Sequence, residues 1–136
     1  MTVKAGYSTP LFHVAEIERS IRFYELLGFV TIDTDRCTPL GWARIHCDGG
    51  TLMFLRADEP LNLAGQGVML VMYTPDLAGL REQLLAGGVE VPPIQHPEFN
   101  PSGTIQITDP DGYAIGISHW GESEQEAWEK RIGARQ

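Results

Sequence analysis

The feature that most constrains the fold is an internal repeat with a period of about sixty residues. In each half, an alternating strand pattern precedes a helix with one apolar face, and a glycine follows the helix. Glu16 and Asp76 mark the two helix starts, and Gly28 and Gly88 mark the two ends, each pair 60 positions apart (76 − 16 = 60, 88 − 28 = 60). The sequence therefore predicts two similar modules, each with a strand, a helix and three further strands.

The two modules are predicted to form a single domain over residues 1–136. They cover about residues 7–57 and 67–120 and are joined by a linker from Arg56 to Gln66 that contains Pro and Gly. A chain of 136 residues with 43% hydrophobic residues is long enough for one compact core and too short for two conventional domains.

Short turn motifs and helix signals fix the remaining elements. Asp109-Pro110-Asp111-Gly112 and Asp48-Gly49-Gly50 each separate two alternating segments and predict hairpins. Val89-Glu90-Val91 predicts a strand after the second helix. The capping box Ser123-Glu124-Gln125-Glu126 predicts a C-terminal helix over about 123–133.

The charge and composition of the chain limit the classes of partner that it can bind and the cellular compartment in which it is expected. The net charge of −8 disfavours a nucleic-acid partner, which would require clustered Lys and Arg. The first six residues contain no apolar signal core, and no apolar run is long enough to cross a bilayer, so a cytoplasmic protein without a membrane partner is expected. Cys37 and Cys47 have no metal-ligand spacing and are expected to be reduced thiols.

The strand that follows the Asp109 turn indicates a pocket wall. Ile115 and Ile117 form one face of this strand, whereas Ala114, Gly116 and Ser118 form the other. These three side chains are too small to fill a core, so the face they form should border space for a ligand.

Two segments in register with the repeat resemble the vicinal oxygen chelate superfamily. They are Glu16-Ile17-Glu18-Arg19-Ser20-Ile21-Arg22-Phe23-Tyr24-Glu25-Leu26-Leu27-Gly28-Phe29 and Asp109-Pro110-Asp111-Gly112-Tyr113-Ala114-Ile115-Gly116-Ile117. That superfamily includes glyoxalase I, extradiol dioxygenases, and fosfomycin- and bleomycin-resistance proteins. The resemblance implies an α+β fold in which two βαβββ modules form curved four-stranded sheets around a cavity, with helices outside.

The resemblance also locates where metal-dependent members hold a divalent ion. Carried onto this chain, the ligand positions are Thr9, Met53 (or Phe54), Met69 and Gly116. Such sites need about three N or O donors, and these residues offer one hydroxyl and two thioethers. No metal cofactor is therefore expected, and a divalent metal is the alternative.

Several side chains are expected to face the cavity. His13 comes two residues after Leu11 and should therefore lie on the same, cavity-facing side of the strand. A lone His is, however, more often a hydrogen-bonded structural residue than a ligand or a base. Trp42, Arg44 and His46 share a face that could form a ligand wall, a dimer contact or ordinary strand surface.

Other candidates belong to the second module. Tyr73 shares parity with Met69, so its ring should line the pocket. Phe99 lies in a long proline-bounded loop, where it is either a lid residue or a hydrophobic anchor that holds the loop down. His96 is expected to be a solvated loop residue, and His119 should point away from the cavity.

These observations favour a metal-free small-molecule binding protein, similar in plan to bleomycin-resistance proteins, that forms a homodimer. The negative charge would favour a cationic drug or metabolite. The alternatives are an enzyme, either a metal-dependent lyase, isomerase or dioxygenase or a metal-free isomerase with His13 as base, and an interaction module. The candidate ligand-binding residues are His13, Trp42, Arg44, Met53, Met69, Tyr73, Phe99, Gly116 and Ser118.

Overall fold

The computed structural model describes residues 2–5 and 8–135. The elements are β1 (Leu11–Val14), α1 (Ile17–Glu25), β2 (Val30–Thr34), β3 (Trp42–Cys47), β4 (Gly50–Arg56), β5 (Leu70–Thr74), α2 (Leu77–Ala86), β6 (Thr104–Thr108), β7 (Ala114–His119) and α3 (Glu122–Arg135). The chain divides into two compact units, Met1–Ala64 and Gly65–Gln136. The predicted start of the first module, at residue 7, lies outside the described residues.

The first unit contains a four-stranded sheet in the order β1-β4-β3-β2, with α1 on one face. β1 runs parallel to β4, and the other neighbours are antiparallel. The apolar face of α1 buries Ile17 and Tyr24, and the Tyr24 ring lies 5.4 Å from that of Phe54, measured between centroids. This packing removes the helix-facing side chains of the sheet from water and forms the core of the unit.

The end of α1 shows why the glycine in each repeat matters. Gly28 has a φ of 97°, and Phe29 donates its backbone N–H to the Tyr24 carbonyl at 3.1 Å. This is the Schellman arrangement, in which a residue with positive φ lets the chain turn back and satisfies the last helix carbonyls.

The second unit has a three-stranded sheet in the order β5-β7-β6, with β5 parallel to β7. Its helix α2 begins as predicted, because the Asp76 carboxylate accepts a hydrogen bond from the Gly79 N–H at 3.0 Å. Leu77 and Leu84 of α2 are buried with Ile115 and Ile117 of β7.

The predicted strand Val89-Glu90-Val91 is wrong. These residues form no strand, and the second sheet therefore has three strands where the resemblance implied four. The carbonyls of Val91 and Pro92 accept hydrogen bonds from the Arg81 guanidinium of α2, at 3.4 and 2.9 Å. The two prolines that follow Val91 have no N–H to give to a neighbouring strand, so this segment is tied to the helix instead.

The predicted C-terminal helix is present, but its capping box is displaced. α3 begins at Glu122, and Glu124 accepts a hydrogen bond from the backbone N–H of Gly121 at 3.2 Å. The acid that reaches back to the N-cap is therefore Glu124, two residues before the predicted Glu126.

Both predicted hairpins are present, and the fold class is α+β with two small sheets, as the resemblance implied. None of the helices in the described residues is long and apolar enough to cross a membrane.

Candidate functional site

One face of the first sheet carries α1, and the opposite face carries exposed or half-buried side chains at alternate positions. Phe12 and Val14 of β1 are buried, whereas Leu11 and His13 are exposed. We call this second surface the helix-free face of the first sheet. It consists of Leu11, His13, Trp42, Arg44, His46, Thr51, Met53 and Leu55.

The strand register arranges these side chains in rows across the sheet. His13 lies opposite Leu55, which lies opposite Trp42. In the next row, Leu11 lies opposite Met53, which in turn lies opposite Arg44. Opposite residues on one face are neighbours at about 5 Å, so the four predicted site residues of this unit (His13, Trp42, Arg44 and Met53) form one continuous patch.

Arg44 links the aromatic part of this patch to its charged edge. Its guanidinium carbon lies 5.2 Å from the centroid of the Trp42 ring, and Nη1 lies 3.6 Å from Oδ2 of Asp33 on β2. Cation–π attraction to Trp42 and electrostatic attraction to the Asp33 carboxylate favour this position of the guanidinium. The patch therefore offers an aromatic surface with a cationic donor beside it.

The loop before Trp42 is held by the carboxylate of Asp35. Its two oxygens accept hydrogen bonds from the backbone N–H groups of Cys37 at 3.1 Å and Gly41 at 3.0 Å. The Cys37 N–H, followed by that of Gly41, lowers the pKa of Asp35. Asp35 also donates its backbone N–H to the Trp42 carbonyl at 3.2 Å, so the loop delivers Trp42 to the sheet in a fixed position.

A second carboxylate fixes the same loop from α1. Oε2 of Glu18 accepts a hydrogen bond from the Leu40 N–H at 2.9 Å. This bond is the main cause of the lowered pKa of Glu18, and the charges of Arg56 and Arg22 add to it. Glu18 thus holds the loop at Leu40, two residues before Trp42, and sequence reasoning treated Glu18 only as part of a helix motif.

The second sheet also has a helix-free face, and its centre is built from small residues. Ala114, Gly116 and Ser118 of β7 lie between Val71 and Tyr73 of β5 on one side and Thr104, Gln106 and Thr108 of β6 on the other. Ser118 donates its hydroxyl to Thr104 Oγ1 at 3.3 Å. The predicted residues Tyr73, Gly116 and Ser118 therefore share a face, as their parity indicated.

Met69 lies over this row of small residues. A Cβ added at Gly116 would meet the Met69 terminal methyl at 3.1 Å, so the thioether side chain already covers part of the space above the glycine. Met69 itself remains 44% exposed, and its flexible end can move aside. The space predicted above Gly116 is therefore partly filled by an apolar side chain that can move aside.

Trp120 is a neighbour of Tyr73 that sequence reasoning missed. The two ring centroids are 4.8 Å apart, and Trp120 contacts Trp128 of α3 at 6.4 Å. Strand alternation could have identified Trp120, because it comes two residues after Ser118 and four after Gly116, and so falls on the same face.

Phe99 does not hold its loop down. Its side chain is 88% exposed, so the anchor interpretation is wrong, whereas the lid interpretation stays a prediction. The loop is held by its backbone instead, with Asn100 N–H bonded to the Pro97 carbonyl and Gly103 N–H bonded to the Asn100 carbonyl.

The remaining histidines have local partners. His46 Nδ1 is 2.9 Å from Thr51 Oγ1, and His96 Nδ1 is 3.0 Å from the Pro101 carbonyl. His119 Nε2 lies 3.7 Å from Glu124 Oε1, at the start of α3. His119 is at an alternate position of β7 to Gly116 and Ser118, and its predicted direction away from the cavity stays a prediction.

Comparison with known proteins assigns the chain to a family. Residues 9–117 match the model of the Glyoxalase/Bleomycin resistance protein/Dioxygenase superfamily. The chain belongs to this superfamily. No curated protein sequence matches the chain at a significant level.

Solved structures with the superfamily's fold include three relatives at low sequence identity. A bleomycin resistance determinant encoded on the transposon Tn5 is 19% identical, with 87% of this chain and 99% of that chain covered and a TM-score of 0.69. A bleomycin-binding protein complexed with bleomycin is 19% identical, with coverage of 85% and 99% and a TM-score of 0.68. TioX from Micromonospora sp. ML1 is 15% identical, with coverage of 85% and 98% and a TM-score of 0.70.

The residues that the resemblance places at the metal-ligand positions do not form a donor set that fits a catalytic divalent ion. These residues are Thr9, Met53 (or Phe54), Met69 and Gly116, and the methyl of Met69 lies over Gly116. Thioethers suit only soft ions, and glycine has no donor side chain. The described residues also contain no cluster of three His, Cys, Asp or Glu side chains that could hold an ion elsewhere.

Proposed function

We propose that this superfamily member binds a small organic molecule without a metal and sequesters it, as the names of the bleomycin-binding neighbours suggest for those proteins. The observation that carries the proposal is the helix-free face of the first sheet. Leu55 lies on an inner strand of that sheet, yet it is 37% exposed, beside the half-buried Trp42 and Met53. Contiguous apolar and aromatic surface with a few polar groups is typical of ligand sites.

The chemistry of this face favours a ligand with a planar aromatic part. Such a part would stack on Trp42 and rest on the side chains of Met53 and Leu55. Arg44 and His46 would donate hydrogen bonds to polar substituents, while the net charge of −8 would attract a cationic group over longer distances. No covalent step is needed for this function.

The proposal includes a cytoplasmic location and a homodimer. The cytoplasm is the compartment in which Cys37 and Cys47, which are free thiols in the structure, would stay reduced. A dimer would cover exposed strand edges.

The test is a titration with metal-free bleomycin and a set of cationic and neutral polycyclic aromatic compounds, followed by calorimetry. We expect saturable binding that Trp42→Ala weakens at least about tenfold, which corresponds to about 1.4 kcal/mol. Leu85→Ala, at an exposed position of α2, is the matched control and should bind like the wild type. Equal affinities for the wild type and Trp42→Ala would contradict the assignment of this face.

A second measurement separates binding from metal catalysis. Protein purified without chelator and exposed to Zn²⁺, Mn²⁺, Fe²⁺ and Ni²⁺ should retain less than one ion per chain in elemental analysis. A stoichiometric ion that is lost in His13→Ala would overturn the metal-free proposal and favour an enzyme.

A further inference from the structure

The helix α3 and the tryptophans beside it are not explained by the superfamily match, which ends at residue 117. α3 is polar, and nearly all of its side chains are exposed. Its large aromatic residue, Trp128, is 45% exposed and packs against Trp120, which in turn packs against Tyr73. We call Tyr73, Trp120 and Trp128 the aromatic cluster.

The aromatic cluster is held in place from several directions. Trp120 donates its backbone N–H to the Thr74 carbonyl at 2.8 Å and its indole N–H to Oε1 of Gln125 at 2.7 Å. Gln125 donates in turn to Glu129 at 3.0 Å. The planes of Trp120 and Trp128 meet at 75°, so the two rings are fixed at nearly a right angle.

A cation of the protein already lies over this cluster. The guanidinium carbon of Arg131 is 5.7 Å from the centroid of the Trp128 ring, within the range of cation–π attraction. Of the acidic residues on α3, Glu124 lies four positions before Trp128 on the same side of the helix, where its carboxylate accepts hydrogen bonds from Gly121 and Ser123. The exposed face of the Trp128 ring therefore already accommodates a positive group.

We propose that the aromatic cluster is a binding site for an organic cation of the quaternary ammonium type, which takes the place of Arg131 over Trp128. A quaternary ammonium group has no N–H donors and is weakly hydrated, so aromatic faces are the groups that recognise it. Arg131 is tethered by a flexible side chain and can swing into solvent when the ligand enters. This site is independent of the proposed function, since its key residues lie outside the helix-free face of the first sheet.

The test uses two probes of the same shape that differ in charge, namely choline and 3,3-dimethyl-1-butanol. The chain has three tryptophans, so their indole N–H signals can be followed separately by NMR. Choline should shift the signals of Trp120 and Trp128 with a saturating curve, and the neutral alcohol should not at the same concentration. Equal shifts with both probes would overturn the proposal.

Arg131→Gln is the decisive variant, because it removes the internal competitor. Loss of one cation–π contact of ordinary strength should tighten choline binding by about two- to five-fold. Lys130→Gln makes the same charge change at the adjacent position of α3 and should tighten binding less. If the two variants tighten binding equally, or Arg131→Gln leaves it unchanged, the cation does not replace Arg131 and the proposal is wrong.

Trp128→Phe and Trp128→Leu complete the series. The phenylalanine variant keeps a ring and should bind choline more weakly than the wild type, and the leucine variant should not bind it. Far-ultraviolet circular dichroism of both variants checks that α3 is still formed. Retained binding in a folded Trp128→Leu variant would contradict the site, while the Trp42→Ala titration separately tests the sequestration proposal.

Discussion

Asp109 is a buried carboxylate on which the turn between β6 and β7 depends. One of its oxygens, Oδ1, accepts hydrogen bonds from the backbone N–H groups of Asp111, Gly112 and Tyr113, at 2.9, 3.0 and 3.0 Å. Gly112 has a φ of 103°, which fits the glycine of the sequence motif. The Asp-Pro-Asp-Gly motif is therefore explained by turn structure, without an acid–base role.

Asp109→Ala should destabilise the protein by about 2–4 kcal/mol, since it leaves three backbone donors without their charged acceptor. Asp109→Asn keeps one acceptor oxygen and should cost less. Chemical denaturation monitored by circular dichroism measures both changes, with the exposed linker variant Asp58→Ala as control. If Asp109→Ala and Asp58→Ala had the same unfolding midpoint, the turn would not depend on this carboxylate.

Gly116→Glu tests whether the row of small residues borders usable space. The one close contact of the new Cβ is with the mobile end of Met69, at 3.1 Å, and the Leu70 carbonyl lies at 4.0 Å. We therefore expect the free energy of unfolding to change by less than about 1 kcal/mol. A ligand that occupies the space above this row should bind more weakly, because the added carboxylate fills that space. Gly116→Ala is the smaller control.

A melting curve of Gly116→Glu needs no ligand and is the first measurement to make. A loss of about 1–3 kcal/mol or more would indicate overpacking or an unpaired buried carboxylate. The row of small residues would then be tightly packed core rather than pocket wall.

At the scale of elements, the sequence predicted well wherever a local signal determined the backbone. Gly28 and Asp76 mark helix ends through bonds made within a few residues, and the alternation of β3 and β4 fixes which side chains are buried. Val89-Glu90-Val91 alternates equally well, but a strand also needs a partner. The carbonyls of Val91 and Pro92 are instead bound by Arg81 of α2, a contact that local periodicity does not encode.

The candidate site was likewise predictable only where strand alternation determines the face on which a side chain lies. Strand parity placed His13, Trp42 and Met53 on one face correctly, because a strand has only two faces. Parity gives no information on loops, and the position of Phe99 depends on turns within its own segment. The Met69 cover over Gly116 depends on a rotamer, which a sequence pattern does not specify.

The contact between α1 and the loop before β3 should depend on pH. The pKa of Glu18 is lowered below its ordinary value of 4.5 in the folded protein, chiefly by the Leu40 N–H. A carboxyl whose folded pKa is depressed stabilises the fold above its unfolded pKa, and this contribution is lost as the pH falls through the folded pKa. Glu18 should therefore stabilise the protein at neutral pH and cease to do so in acid.

Glu18→Gln isolates this contribution. The difference in unfolding free energy between wild type and variant should be positive at pH 7 and should shrink as the pH falls below about 4.5. Urea denaturation at a series of pH values measures it, and Glu25→Gln, at an exposed position of α1, is the control. A difference that stays constant from pH 7 to pH 3 would mean that the Glu18 charge does not hold the loop.

At the scale of the whole molecule, the first sheet has an edge strand with exposed apolar side chains. β2 is an edge strand of the first sheet, and its side chains Val30 and Ile32 are 58% and 55% exposed. The β2–β3 register shifts between Thr31 and Asp33, which marks a bulge of the kind that interrupts edge pairing. Exposed apolar residues on an edge strand favour burial against a second copy of the chain.

We therefore predict a homodimer in which the same patch of both subunits is buried around a two-fold axis. Light scattering at micromolar concentration should give twice the chain mass, and Ile32→Lys should shift the equilibrium towards the monomer. Leu85→Lys, at an exposed position of α2, adds the same charge and should leave the dimer intact.

Because each chain carries a net charge of −8, the two subunits repel each other, and added salt should strengthen the dimer by screening that repulsion. A wild-type monomer at this concentration, or equal effects of the two lysine variants, would show that β2 does not form the interface.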